Sequence, residues 1–234
     1  MPVALYTLGD PHLAFGVNKP MDIFGGAWNG YSDALRENLS VLREGDTLVI
    51  PGDLSWGINI EQAEKDFRFL ASYPGRKILL KGNHDLWWST VTKMRKFLAE
   101  KEIEGFEFLN NNCYFYEDIA LCGTRGWFFE EEKGEAHDEK ILNRELCRLE
   151  ASLKEAKKAH AEHIYCFMHY PPIFGKYTCP PIIEMLTRYG VEKLYYGHLH
   201  SQSHKNAFIG VEGGVSYELV SSDYLNFKPL LIKE

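Results

Sequence analysis

Five short apolar runs, rich in β-branched and aromatic residues, each end just before a polar cluster of aspartate, asparagine or histidine. Residues 3–8 precede Asp10-Pro11-His12, residues 47–50 precede Asp53, and residues 77–80 precede Asn83-His84-Asp85. Residues 164–168 precede His169, and residues 194–196 precede His198-Leu199-His200. Runs of this length and composition read as strands. Strands that share one direction deliver the loops after them to one edge of a sheet, where side chains far apart in sequence converge.

Segments with helical period lie between these runs. Residues 31–43 carry Leu35, Leu39 and Leu42 at helical spacing, with Ser32 available as a cap, and residues 60–73 carry Ala63, Phe67 and Leu70. Residues 138–160 place Ile141, Leu142, Leu146, Leu149 and Leu153 on one face and Lys and Glu on the other, the pattern of a helix packed on a core. Alternating strand and helix predicts an α/β fold. Residues 106–122 and 207–232 break the alternation with closely spaced strand-like runs, which suggests two packed sheets with helices outside.

At 234 residues with 45% apolar side chains, the chain reads as one domain over residues 1–234. No run approaches the roughly 20 apolar residues a membrane span needs. The N-terminus lacks a basic region and runs straight into the first polar cluster, so a cytoplasmic location is expected. The cysteines, Cys113, Cys122, Cys147, Cys166 and Cys179, are odd in number and form no Cys-x-x-Cys pair, so reduced thiols are expected. A formal charge of −7 disfavours nucleic acid as a partner.

Imidazole, carboxylate and amide oxygen are donors that bind first-row transition metals. Side chains two apart on an extended loop point the same way, so Asp10 and His12 can hold one ion together, with Pro11 stiffening the pair. A carboxylate at Asp53 can bridge two ions roughly 3.5 to 4 Å apart. Gly9, Gly52, Gly82 and Gly197 stand at the starts of the clusters, as expected where backbone turns sharply or approaches a neighbour closely.

From Asp10 to His200, about 190 of the 234 residues, these clusters resemble the calcineurin-like metallophosphoesterase family. The resemblance implies a four-layer sandwich of two packed mixed β-sheets flanked by helices. It also implies two divalent or mixed-valence transition metal ions, with manganese, iron and zinc foremost. Asp10, His12, Asp53 and His200 would hold the first ion, and Asp53, Asn83, His169 and His198 the second. A water bridging the ions would attack phosphorus as hydroxide, and His84 would assist the leaving group. Asp85 would either orient His84 or cap the segment after it. The implied substrate is a small phosphomonoester or phosphodiester; a non-catalytic scaffold and a nuclease are the alternatives.

Around Asp53 the chain reads Gly52-Asp53-Leu54-Ser55-Trp56-Gly57, and Lys81 precedes Gly82. The arginines and second aspartate of the protein-phosphatase branch are missing, so specificity must come from other segments. Residues 15–31, rich in Gly and aromatics, are one candidate substrate wall, although a twofold partner could pack on them in a homo-oligomer. Residues 123–137 are the other: Arg125 could clamp a phosphate or make a structural salt bridge, and Trp127 could stack on a base. Glu130, Glu131 and Glu132 read as a solvated loop.

Overall fold

The computed structural model describes residues 3–127 and 135–234. Phe128, Phe129 and the Glu130 to Glu132 cluster lie outside the described residues. The first sheet follows a simple alternation: β1 (Leu5–Thr7), α1 (Tyr31–Leu39), β2 (Thr47–Pro51), α2 (Ile60–Ala71), β3 (Arg76–Leu80), α3 (Val91–Glu100) and β4 (Phe106–Phe108). The chain continues through β5 (Tyr114–Tyr116), β6 (Ile119–Thr124), α4 (Glu135–Lys158), β7 (His163–Met168) and a small hairpin of β8 (Ile173–Phe174) with β9 (Tyr177–Thr178). It ends with α5 (Pro180–Tyr189), β10 (Lys193–Tyr196), β11 (Gly210–Glu212), β12 (Val215–Leu219) and β13 (Leu230–Lys233).

One sheet has the order β13-β1-β2-β3-β4 and the other β11-β12-β10-β7-β6-β5. In the first, β1 to β4 are mutually parallel and β13 closes the edge antiparallel. In the second, β12, β10, β7 and β6 are parallel, with β11 and β5 antiparallel at the edges. Successive parallel strands step one way across each sheet. Because such crossovers are right-handed, every helix of a series lands on the same face, and the opposite face is free to pack against the other sheet.

Residue alternation records this layering. In β7, Ile164, Cys166 and Met168 join the core formed with α4 and α5, while Tyr165 and Phe167 point between the sheets. In β2, Leu48 and Ile50 pack beneath α1 and α2, and Val49 lies between the sheets with Leu5, Ile78, Leu121 and Tyr195. Phe67 of α2 packs edge-on against Trp87 and Phe106, each 5.1 Å away between ring centres. Truncating so buried a ring costs about 3–5 kcal/mol.

Several boundaries differ from the sequence expectation. The α1 helix stops at Leu39 and starts after Gly30, whose φ of 68° ends the preceding loop, so Ser32 lies inside the first turn and is not a cap. The α2 helix is capped by Asn59, which accepts the Gln62 N–H at 3.0 Å. Residues 15–31 include two single 3-10 turns, Asp22–Phe24 and Gly26–Trp28. All five cysteines are unpaired. No helix among the described residues is long and apolar enough to cross a membrane.

Candidate metal centre

The clusters after β1, β2, β3, β7 and β10 meet at the carboxyl edges of both sheets, stitched together by main-chain bonds. Asp10 N–H donates to Gly52 O and His12 N–H to Asp53 O, each at 3.0 Å, so the first two loops run as one unit. Gly9 N–H donates to Val220 O across the sheets. Asp10, His12, Asp53 and His198 have φ of 54°, 45°, 52° and 71°. Non-glycine residues visit that region rarely, and its concentration here marks backbone held in place by its surroundings. Two glycines leave the room this needs: a Cβ on Gly82 would run into Asp53, and one on Gly197 into the Asp10 carboxylate.

The side chains gather on either side of Asp53, with Asp10 close to both sets. His12 Nε2 lies 3.3 Å from His200 Nε2 and 3.7 Å from Asp53 Oδ2, and Asp10 Oδ1 lies 3.8 Å from His200 Nε2. On the other side, Asn83 Oδ1 is 2.6 Å from His169 Nε2 and 3.0 Å from His198 Nδ1, and His169 Nε2 is 3.5 Å from the same Asp53 Oδ2. Ligating atoms of Asp10, His12 and His200, and of Asp10, Asp53 and His169, lie within 4.8 Å of one another.

The charges suit bound cations. Asp10 and Asp53 are buried, yet among the described residues their ion-pair neighbours are imidazoles and none is a lysine or arginine. Buried carboxylates are normally paired with cations or bound to metal. Burial pushes Asp10 up to about 7 against the opposing pull of His200, and it raises Asp53 well above the usual range, with Asp85 and Asp10 adding to it. Burial and neighbouring imidazoles hold His12 and His169 well below their ordinary value and His198 down to about 3, which keeps these rings neutral, the form that ligates a metal. His200 moves upward: burial opposes this, but its bond to Asp223 and the charge of Asp10 outweigh it. Divalent ions would compensate both carboxylates and use the neutral imidazoles, so this donor set fits them.

His84 sits at the rim. Its ring lies 4.4 Å from Trp56 and 5.6 Å from His12 between centres, and its main-chain N–H donates to Asp53 Oδ1 at 2.7 Å. Burial, followed by the charges of His200 and Lys19, lowers its pKa. It faces a pocket of about 310 Å³ walled by Met21, Phe24, Trp28 and Trp56 with His12 and His200.

Asp85 has a different place from either sequence expectation. Its carboxylate accepts N–H groups from Gly82, Asp53, Leu54 and Ser55 and the Trp87 indole, at 2.8 to 3.3 Å, and the His84 ring is not among its partners. Asp85 therefore anchors the loops that carry Asp53 and Asn83. Arg125 makes no salt bridge among the described residues; its guanidinium lies over Trp127 and Tyr170, 5.1 and 5.8 Å from the ring centres. Trp127 is buried, with its indole N–H bonded to Asp138 at 3.0 Å, so it supports Arg125 and is not open for stacking on a base.

Two acidic residues were not singled out from sequence. Asp223, just beyond β12, accepts from Ser201 N–H at 2.9 Å, sits 2.8 Å from His200 Nδ1 and fixes that ring. Asp66 accepts Phe15 N–H at 2.8 Å and the Ser55 hydroxyl, tying the loop after His12 to the loop after Asp53. The position of Asp223 beyond a strand end was a usable signal; Asp66, on a helix, gave none.

The chain belongs to the calcineurin-like phosphoesterase family, whose model matches residues 5–202. Membership carries divalent-metal phosphoester hydrolysis as the general class of chemistry. No curated protein sequence matches. Among solved structures, a phosphopantetheinyl hydrolase from Mycobacterium tuberculosis is similar at TM-score 0.59 and 13% identity, covering 98% of this chain and 95% of that one. A protein of unknown function from Aquifex aeolicus is similar at TM-score 0.51 and 17% identity, covering 98% and 96%. At these identities the likeness is one of fold.

Proposed function

We propose that this chain is a two-metal phosphohydrolase of small phosphate esters, working in a reducing compartment such as the cytoplasm, which its unpaired thiols suit. Asp10, His12, Asp53 and His200 would hold one ion, and Asp53, Asn83, His169 and His198 the other. The observation that carries this reading is Asp53 Oδ2, which lies 3.7 Å from His12 Nε2 and 3.5 Å from His169 Nε2, between the two groups of donors. Two such ions, when bound, supply charge for the phosphoryl oxygens and a nucleophile at neutral pH.

The chain's own residues do the rest. Asp223 and the Pro51 carbonyl, 2.8 and 3.2 Å from the Nδ1 atoms of His200 and His169, fix both rings with Nε2 turned inward. His84 donates a hydrogen bond to the leaving-group oxygen. Its main chain is tied to Asp53, so it keeps its place relative to the reacting phosphorus. The aromatic pocket beside it receives the leaving group and keeps water from that side.

The test is hydrolysis of bis(p-nitrophenyl) phosphate and p-nitrophenyl phosphate by manganese-reconstituted protein, with His84→Ala alongside. Turnover of either substrate, depressed about 10²- to 10⁴-fold in the variant with bound metal retained, supports the reading. No turnover with any first-row metal, or an indifferent variant, contradicts it.

A further inference from the structure

Beyond the metal cluster along the second sheet, the next strand end is that of β6, which carries Thr124 and Arg125. Opposite it, the end of β3 carries Lys81, two residues before Asn83. Between them opens a cavity of about 490 Å³, closed on a third side by Arg144 and Arg148 of α4. Among the described residues, four basic side chains thus line one cavity of a chain whose formal charge is −7.

A row of arginines on a helix is ordinarily a solvated face, but three observations distinguish this one. Its cations come from three separate elements and face one space. Among the described residues the acidic side chain lining it is Glu145, which is buried and already engaged by the Thr124 hydroxyl at 2.6 Å and Arg148 at 2.7 Å. Arg125 Nε is buried and has no hydrogen-bond acceptor among the described residues. The start of α3 also lines the cavity through its cap, Thr90, and Val91; Thr90 takes the Lys93 N–H at 3.3 Å, and the N–H groups of a helix start left without a cap favour anions.

The cavity neighbours the metal cluster closely. Arg125 lies over the Tyr170 ring, whose centre is 4.4 Å from that of His198 and 5.1 Å from that of His169. One aromatic ring separates the guanidinium from two of the imidazoles. Tyr170 N–H also donates to Arg125 O at 2.9 Å, which locks the two loops together.

We propose that this cavity is a second phosphate subsite, so that the substrate is a small bisphosphate: one phosphate lies at the metal centre and the other among Lys81, Arg125, Arg144 and Arg148. The assignment rests on the phosphohydrolase reading for the first phosphate only. Guanidinium groups suit the second because their planar forks bind phosphate oxygens in pairs.

Two measurements test it. Metal-free protein titrated calorimetrically with inorganic phosphate should bind one equivalent, and the double variant Arg144→Gln/Arg148→Gln should weaken that binding at least tenfold. Because Arg148→Gln removes the charge paired with buried Glu145, Lys81→Gln/Arg144→Gln, which leaves that pair intact, serves as a second variant and should weaken phosphate binding by the same factor. Manganese-loaded protein should then hydrolyse one member of a series of α,ω-alkanediol bisphosphates with a kcat/KM at least tenfold above that of its monophosphate, a preference that collapses towards one in the variant. No phosphate binding by the metal-free wild type, or no bisphosphate preference at any chain length, overturns the subsite. Hydrolysis of p-nitrophenyl phosphate reports separately on the phosphohydrolase reading, so the two can fail independently.

Discussion

Asp85 accepts the main-chain N–H of Asp53 at 2.9 Å through Oδ2, the same oxygen that accepts Gly82 N–H at 2.8 Å. One buried carboxylate thus fixes the loops after two neighbouring strands, and with them the separation of Asp53 from Asn83. Asp85→Asn would turn an amide NH₂ towards donors that need an acceptor. A loss of about 3–5 kcal/mol in unfolding free energy is expected, since each bond to a charged group contributes about 1.5–3 kcal/mol. Urea denaturation measures it; a loss under about 1 kcal/mol would refute the anchoring role.

The bond between Asp223 and His200 predicts a selective effect on metal affinity. Partners that orient a ligating imidazole typically contribute 10- to 100-fold in affinity. Asp223→Asn should weaken one of two binding events in a metal titration by about that factor and leave the other nearly unchanged. Equal weakening of both would contradict the separate grouping of His200.

Close approach at Gly197 predicts a steric effect. In Gly197→Ala the new methyl meets the Asp10 carboxylate. Overpacking of this kind costs about 1–3 kcal/mol, and displacing Asp10 should also weaken metal binding. Thermal unfolding with and without manganese reads both; a variant that matches wild type in each would show that Asp10 yields freely.

Much of the fold was legible in the sequence because its signals are local. The apolar runs before Asp10, Asp53, Asn83, His169 and His198 are core strands, and the leucine stripe of α4 is a core face. What was not legible depends on contacts distant in sequence. Nothing local to Asp85 shows that its partners include Asp53, Leu54 and Ser55, about thirty residues earlier. Asp223 lies beyond the last histidine cluster and acquires its role only because β12 pairs with β10. Among the described residues Arg125 lacks the salt bridge open to it on sequence grounds, and the elements beside it bring aromatic rings instead.

Asp66 predicts a pH dependence away from the metal centre. Burial raises its carboxyl from 3.8 to about 6, with the bonds from Ser55 and Phe15 opposing. The folded chain therefore holds this proton more tightly than the unfolded chain. The stability it contributes is full below about pH 4 and is lost as pH rises to about 6, a span of at most about 3 kcal/mol. Relative to Asp66→Asn, the wild type should lose stability across that window and run parallel above it. Denaturation curves that stay parallel from pH 4 to 7 would exclude the effect.

Asp53 is proposed to join two metal ions. Electron paramagnetic resonance of metal-free protein reconstituted with manganese(II) addresses it directly, because ions bridged by one carboxylate are magnetically coupled. Two manganese ions per chain are expected, with the multiline spectrum of a coupled pair that is lost in Asp53→Ala. A single uncoupled ion, or two uncoupled ions indifferent to Asp53, would contradict it.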